Sequence, residues 1–425
     1  MRLPVSPAGD VATRPAAVAG PLPSLLGPGL LASGLLTAAV FGLGSAGQGP
    51  SVFRLSRPND PLGLPDLAVP ADLVCYGVAI VLAVLGAWQM LHGFRRRRSL
   101  VLGASMALVV AAFMVWATAG KSFSLTGLLQ ASVVHAVPIA LAGIAGLLSE
   151  RVAVMNIAVE GMLLAGAFAG ALVGSLLGGP LGLVAAIAAG AALGLVLAAL
   201  VVACRVDQII AGVVVNIFVL GATSYVSSQV FSQHRALNNA PVFRAIDVPL
   251  LGDLPVIGPV LVQQTLFVHG TLLIVAASSY YLFRTRHGLR ARSVGEHPRA
   301  ADTLGIDVHR TQYLNVALAG MVAGFGGAWF TLGSVGRFDS GMTGGLGFIG
   351  LAAMIFGRWR PLGVLFAALI FGCADSLQQK LAILKTPIPS EFLAMAPYLA
   401  TIVLVAGLVG RARPPAAIGK SYRRQ

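Results

Sequence analysis

Twelve apolar runs, most close to the length that a helix needs to cross a lipid bilayer, dominate this chain. They fall at residues 25–47, 73–92, 100–119, 125–148, 154–177, 180–203, 208–231, 265–283, 311–333, 344–357, 361–379 and 394–410. A helix rises about 1.5 Å per residue and the hydrocarbon layer is about 30 Å thick, so roughly 20 apolar residues span it. No water reaches the backbone there, so each run must satisfy its own N–H and C=O groups, which a helix does. The expected fold is all-α: a polytopic transmembrane bundle of about 10–12 spans. The run at 344–357 is short and reads as a broken or re-entrant helix. Only 10% of the 425 residues are charged, against about a quarter in a soluble domain.

The net charge of +14 raises the question of nucleic acid. The distribution of the charge answers it. With the N-terminus in the cytoplasm, 21 of the 29 Lys and Arg residues fall in cytoplasmic segments. That bias is the positive-inside rule, and it places both termini in the cytoplasm. Topology accounts for the charge without a nucleic-acid partner. Residues 1–24 are rich in Pro, Gly and Ala and are expected to be a disordered cytoplasmic N-terminus. They lack the pattern of a cleaved signal peptide. Cys75, Cys204 and Cys373 lie in or beside apolar runs without CxxC spacing, so they read as small buried hydrophobes.

Residues 25–121 hold three spans with few polar residues, an outer loop at 48–72 and the Arg95–Arg98 cluster. They read as accessory N-terminal transmembrane segments. Residues 122–413 hold nine spans and nearly all the notable polar residues, and read as the main transmembrane domain. Residues 414–425 form a basic cytoplasmic tail. Gly166, Gly170, Gly174 and Gly178 are spaced four apart, as are Gly190 with Gly194 and Gly320 with Gly324. Such stripes let helix backbones approach closely in lipid. Five glycines in the segment 338–350 suggest unwound backbone, a candidate gate or half-helix.

The chain carries no HExxH, no GxSxG and no paired-carboxylate motif. Gly120-Lys121-Ser122 resembles the end of a phosphate-binding loop, but the first glycine of that motif would fall at Val115. No catalytic residue or metal site is therefore expected, and this chain itself binds no cofactor. Intramembrane polar residues instead suggest a pathway for an uncharged polar solute. Asn156 and Glu160 are four apart, and a helix starting near Ala153 would set Glu160 about 10 Å along it. A carboxylate in a membrane helix is a functional candidate. Asn216, Phe348 and Asp375 complete the candidate pathway, with His135, Asn315, Ser376 and Gln378 as further polar positions.

A polar island, Val294 to Asp307, stands out from this apolar background. Pro298 suits the first turn of a helix, where its missing N–H costs nothing. Gly305 can end that helix. Ala300, Ala301 and Leu304 then share a small apolar face, bordered by Glu296, Arg299 and Asp302. A short cytoplasmic helix of this kind suits insertion into a groove on a partner protein.

The residues Gly295, Glu296, His297 and Pro298, with Ala300, Ala301, Leu304, Gly305 and Ile306, resemble the coupling-helix motif of bacterial ABC importer permeases. The resemblance is to the branched group that serves simple sugars and nucleosides. Three more blocks carry it in order: Ser149–Arg151 through Asn156–Gly161, Gly347–Gly357, and Pro361–Gly363 leading to Phe371, Gly372 and Asp375. It covers roughly residues 125–412 and looks most like the nucleoside (basic-membrane-protein-linked) permeases. It implies a multi-pass subunit of a bacterial plasma membrane. A sister permease would complete a heterodimer. A cytoplasmic ABC ATPase, carrying ATP and Mg, would dock on residues 295–306. An extracellular or periplasmic solute-binding lipoprotein would deliver nucleosides, or alternatively simple sugars such as ribose. An ion-coupled secondary carrier is the alternative of another class, and it would need no such island.

Overall fold

The computed structural model describes residues 22–57, 63–94, 98–246, 248, 251–384, 395, 413–420 and 422. The run expected at 394–410 and the N-terminal segment up to residue 21 lie outside the described residues. Among those described, ten helices are long and apolar enough to cross a membrane. The fold is an all-α polytopic bundle, as the apolar runs require.

The chain forms two compact units, residues 1–50 with 69–119, and residues 51–68 with 120–425. In the first, α1 (Leu22–Leu36) continues through a π-helical stretch at Thr37–Gly42 and is followed by α2 (Ala71–Leu91) and α3 (Arg98–Ala117). α1 packs on α2, and α2 on α3. Phe41 stacks on Trp116 at 5.2 Å between ring centroids.

The second unit begins with β1 (Ser51–Arg54), which pairs in parallel with β2 (Ser122–Ser124), placing Phe53 beside Phe123. The Ser124 hydroxyl then caps α4 (Leu125–Glu150) by accepting from the Gly127 N–H at 3.0 Å. Every residue of α4 from Ala136 to Glu150 is buried. α5 (Val159–Leu177), α6 (Gly179–Ala198), α7 (Gln208–Val226) and α8 (Leu266–Arg284) follow. Then come α9 (Arg286–Glu296), α10 (Pro298–Thr303), α11 (Val308–Phe330), α12 (Leu346–Phe356) and α13 (Pro361–Ile383).

α11 packs against α4, α5 and α6, while α12 and α13 cover another side of α4. Glycine makes these crossings possible. A Cβ on Gly190 of α6 would lie 2.2 Å from the Gly320 carbonyl oxygen of α11, and one on Gly166 of α5 would lie 2.5 Å from the Gly324 oxygen. Only the absence of side chains allows backbones so near, and dispersion at this range holds helices together in lipid. Gly178 departs from the expected stripe: at φ +92° it ends α5 and has open space around its Cβ position.

α12 has 11 residues and is about 16 Å long, too short to span the hydrocarbon. The expected glycine-rich turn precedes it, with Gly341, Gly344 and Gly345 at positive φ. The expectation for the cysteines holds at Cys75, which is buried, but not at Cys204, which is exposed in the turn after α6.

Candidate functional site

The run read as one helix from 154 to 177 begins with irregular backbone. Residues 151–158 are not helical, and α5 starts at Val159. Glu160 therefore sits in the first turn of α5, and Asn156 shares no helix face with it. Hydropathy misjudges this stretch because Val152, Ala153 and Val154 are apolar and buried whether or not they are helical. Side-chain amides satisfy non-helical backbone groups of this segment, as burial demands. Gln208 accepts from the Met155 N–H at 2.6 Å, and Gln312 donates to the Val152 oxygen at 3.2 Å. Asn216 donates to the Ile157 oxygen at 2.9 Å and accepts from the Gly161 N–H at 2.8 Å.

The Glu160 carboxylate crosses to the start of α12. Oε1 accepts from the Thr343 hydroxyl at 2.6 Å and the Gly345 N–H at 2.8 Å, and Oε2 accepts from the Gly347 N–H at 2.7 Å. A carboxylate at a helix N-terminus meets unpaired donors and the positive end of the helix dipole. Phe348 follows on α12 and is half exposed. Glu160, Asn216 and Phe348 thus gather where α5 and α12 begin. Asn156 is fully buried and donates to the Ser149 hydroxyl at 3.1 Å, while its Oδ1 has no protein partner.

Asp375 stands apart from that group. On α13, its Oδ2 lies 2.9 Å from Nδ1 of His135 on α4, and Gln379 donates to the same oxygen at 3.2 Å. The two side chains are 30% and 26% exposed. Trp329 of α11 meets the His135 ring edge-on at 6.3 Å. Asn315 is held within the bundle, accepting from the Tyr281 hydroxyl at 3.1 Å.

At the end of the bundle that carries α10, the polar island folds as its punctuation requires. Pro298 opens α10 and Gly305 follows it at φ +79°, a left-handed conformation that suits glycine. The three apolar residues do not share one environment. Ala301 is 2% exposed and packs inward, whereas Leu304 is 81% exposed and Ala300 also faces out. Beside α10 a cavity of about 580 Å³ is lined by residues that include His287, Arg290, Ile306 and Arg310.

Sequence reasoning did not foresee the joint that ties α9 and α10 to the core. The Trp359 indole donates to Glu150 Oε2 at 2.6 Å, and the Arg151 guanidinium donates to the Trp359 carbonyl. Arg151 and Arg292 of α9 both lie near the Phe283 ring, at 5.8 and 5.2 Å from its centroid. Burial lowers the Arg151 pKa; Glu296 opposes that shift, while Arg292 and Arg360 add to it. A Cβ on Gly295 would stand 2.3 Å from the Arg151 carbonyl oxygen, so α9 rests directly on the end of α4. Arg358 and Trp359 both have positive φ, at 55° and 51°. Two consecutive non-glycine residues in that region store strain that the surrounding bonds must offset. The signal available in sequence was the Gly357–Pro361 interval between two apolar runs, which marks a turn without naming its partner.

The profile of the family described as branched-chain amino acid transport system / permease component matches residues 128–410. The chain belongs to this permease family. The permease is 38% identical over 305 residues to the guanosine ABC transporter permease protein NupQ of Bacillus subtilis, covering 69% of this chain and 96% of that one. It is 38% identical over 300 residues to the nucleoside ABC transporter permease protein NupC of Lactococcus lactis, covering 68% and 94%. It is 33% identical over 327 residues to a putative glucose ABC transporter permease protein of Haloferax volcanii, covering 70% and 98%. No solved structure matches the chain. α1 to α3 precede the matched region of the permease, which begins near the start of α4.

Proposed function

We propose that this permease is the membrane subunit of an ATP-driven importer that moves nucleosides inward across a bacterial plasma membrane, with both termini in the cytoplasm. The observation that carries the substrate class is its 38% identity to the guanosine and nucleoside permeases across nearly their whole length. The likeness to a putative glucose permease supports simple sugars as the second reading. The chain carries no chemistry of its own in this scheme. A separate ATPase subunit binds ATP and Mg and docks on Gly295–Pro298, Ala300, Ala301 and Leu304–Ile306. The exposure of Leu304 supports this docking, because an exposed leucine beside a short capped helix suits a groove on a partner. A sister permease and a solute-binding lipoprotein complete the assembly.

The pathway runs past Asp375 and, separately, past Glu160, Asn216 and Phe348 where α12 begins. A carboxylate left part-exposed within a membrane span costs several kcal/mol if it faces lipid, roughly 2.5–3.5 on insertion scales. It therefore faces the sister subunit and the water-filled path between the two. There the Asp375 carboxylate, steadied by His135, accepts hydrogen bonds from a neutral polar solute. Glu160, Asn216 and Phe348 line a separate stretch of the path, with Asn156 buried nearby.

Uptake of labelled guanosine, adenosine, uridine and ribose by cells with and without the gene tests the reading, with ATP depletion and an ionophore as parallel arms. Gene-dependent nucleoside uptake that stops on ATP depletion is the expected result. Ribose uptake alone would move the substrate to sugars. Uptake that survives ATP depletion and fails with the ionophore would overturn the mechanism.

A further inference from the structure

The tail that follows the membrane domain lies against the proposed ATPase-docking element, at both of its ends. The Ala417 N–H donates to the Gly295 carbonyl at 3.0 Å, and the Ala416 N–H donates to Glu296 Oε2 at 3.3 Å. Six residues on from Glu296, the Tyr422 hydroxyl donates to Asp302 Oδ2 at 2.7 Å. The Tyr422 ring also packs on His309 at the start of α11, with 5.7 Å between centroids. Pro415 and Ala417 are buried. The tail thus joins the end of α9, the body of α10 and the first turn of α11.

α10 has six residues, and a helix so short does not hold itself together in water. Its ends are a histidine without a side-chain cap and a left-handed glycine. A push applied to such an element is lost in bending unless something stiffens it. We propose that the segment Pro414–Tyr422 is a brace for the coupling element, holding α9, α10 and α11 as one body so that ATPase motion reaches the membrane helices. Tyr422 and Asp302 are its positioning residues. The proposal rests on the docking of an ATPase at α10, and its test separates the two.

The test uses the assembled importer in liposomes, with uptake per ATP hydrolysed as the readout. Tyr422→Phe and Asp302→Ala should each lower that ratio by about tenfold or more, the worth of one hydrogen bond to a charged acceptor. The double variant should lose less than the two single losses combined, because both changes remove the same bond. Asp302→Asn, which keeps an acceptor, should recover most of the loss. Ending the chain at Arg413 should also speed hydrogen exchange of the amides at 295–306 within the assembly. An unchanged ratio in both Tyr422→Phe and the shortened chain would overturn the brace, whatever the exchange rates. If the joint replacement of Glu296 and Gly305 lowers the ratio while the tail variants do not, docking stands and the brace falls. If that joint replacement leaves coupling intact, docking itself falls.

Discussion

The Glu160 carboxylate accepts three hydrogen bonds, two of them from backbone N–H groups at a helix start. Glu160→Gln removes the charge and turns an N–H toward another N–H. Bonds to a charged group are worth roughly 1.5–3 kcal/mol, so the purified permease should lose about that much stability. Asp375 contrasts with it, being part-exposed with two partners on one oxygen. Asp375→Asn should change stability by less than about 1 kcal/mol yet cut nucleoside uptake tenfold or more. Thermal unfolding and uptake measured on both variants check the pair. Uptake at the normal level in Asp375→Asn would remove that residue from the pathway. The sequence made both carboxylates visible, because charge within an apolar run is conspicuous. It left open what each one does, because, Gln379 apart, their partners are 183 to 240 positions away along the chain.

At the scale of elements, the spans and α10 were legible for physical reasons. Long apolar runs have one solution in lipid, and Pro298 and Gly305 fix the ends of a short helix. α9 was not legible, since its three arginines read as a charged loop until Gly288, Ala291, Val294 and Gly295 are seen to share its buried face. The start of α5 was misplaced because an apolar irregular segment and an apolar helix have the same hydropathy. The glycine stripes predicted close crossings, and their quality can be tested one residue at a time. Gly190→Ala should destabilise the bundle by about 1–3 kcal/mol, because the new methyl group meets the Gly320 backbone. Gly221→Ala on α7 should be neutral or stabilising by up to about 1 kcal/mol, since its surroundings are open. Equal melting temperatures for the two variants would contradict the packing of α6 on α11.

For the molecule as a whole, α1 to α3 form a unit of their own and precede the residues that match the permease family. The orientation of the larger unit has a direct chemical probe. Cys204 is exposed in the turn after α6, at the same end of the bundle as the Arg151 joint, since Gln208 next to it bonds Met155 and Ala153. With Cys75 and Cys373 replaced by serine, a membrane-impermeant maleimide should label Cys204 in inside-out vesicles and spare it in right-side-out ones. The reverse pattern would invert the topology.

The grip of Glu160 on α12 also fixes which parts can move during a transport cycle. A Cβ on Gly347 would stand 2.8 Å from the Glu160 Cα, so the two backbones are already in contact with no clearance to slide. Separating them would break three hydrogen bonds to one carboxylate at once. α5 and α12 therefore travel as a single gear. Motion of the pair relative to its neighbours then falls to the glycine turn Gly341–Gly345, where three residues at positive φ precede α12, and not to the Trp359 corner that Glu150 and Arg151 hold.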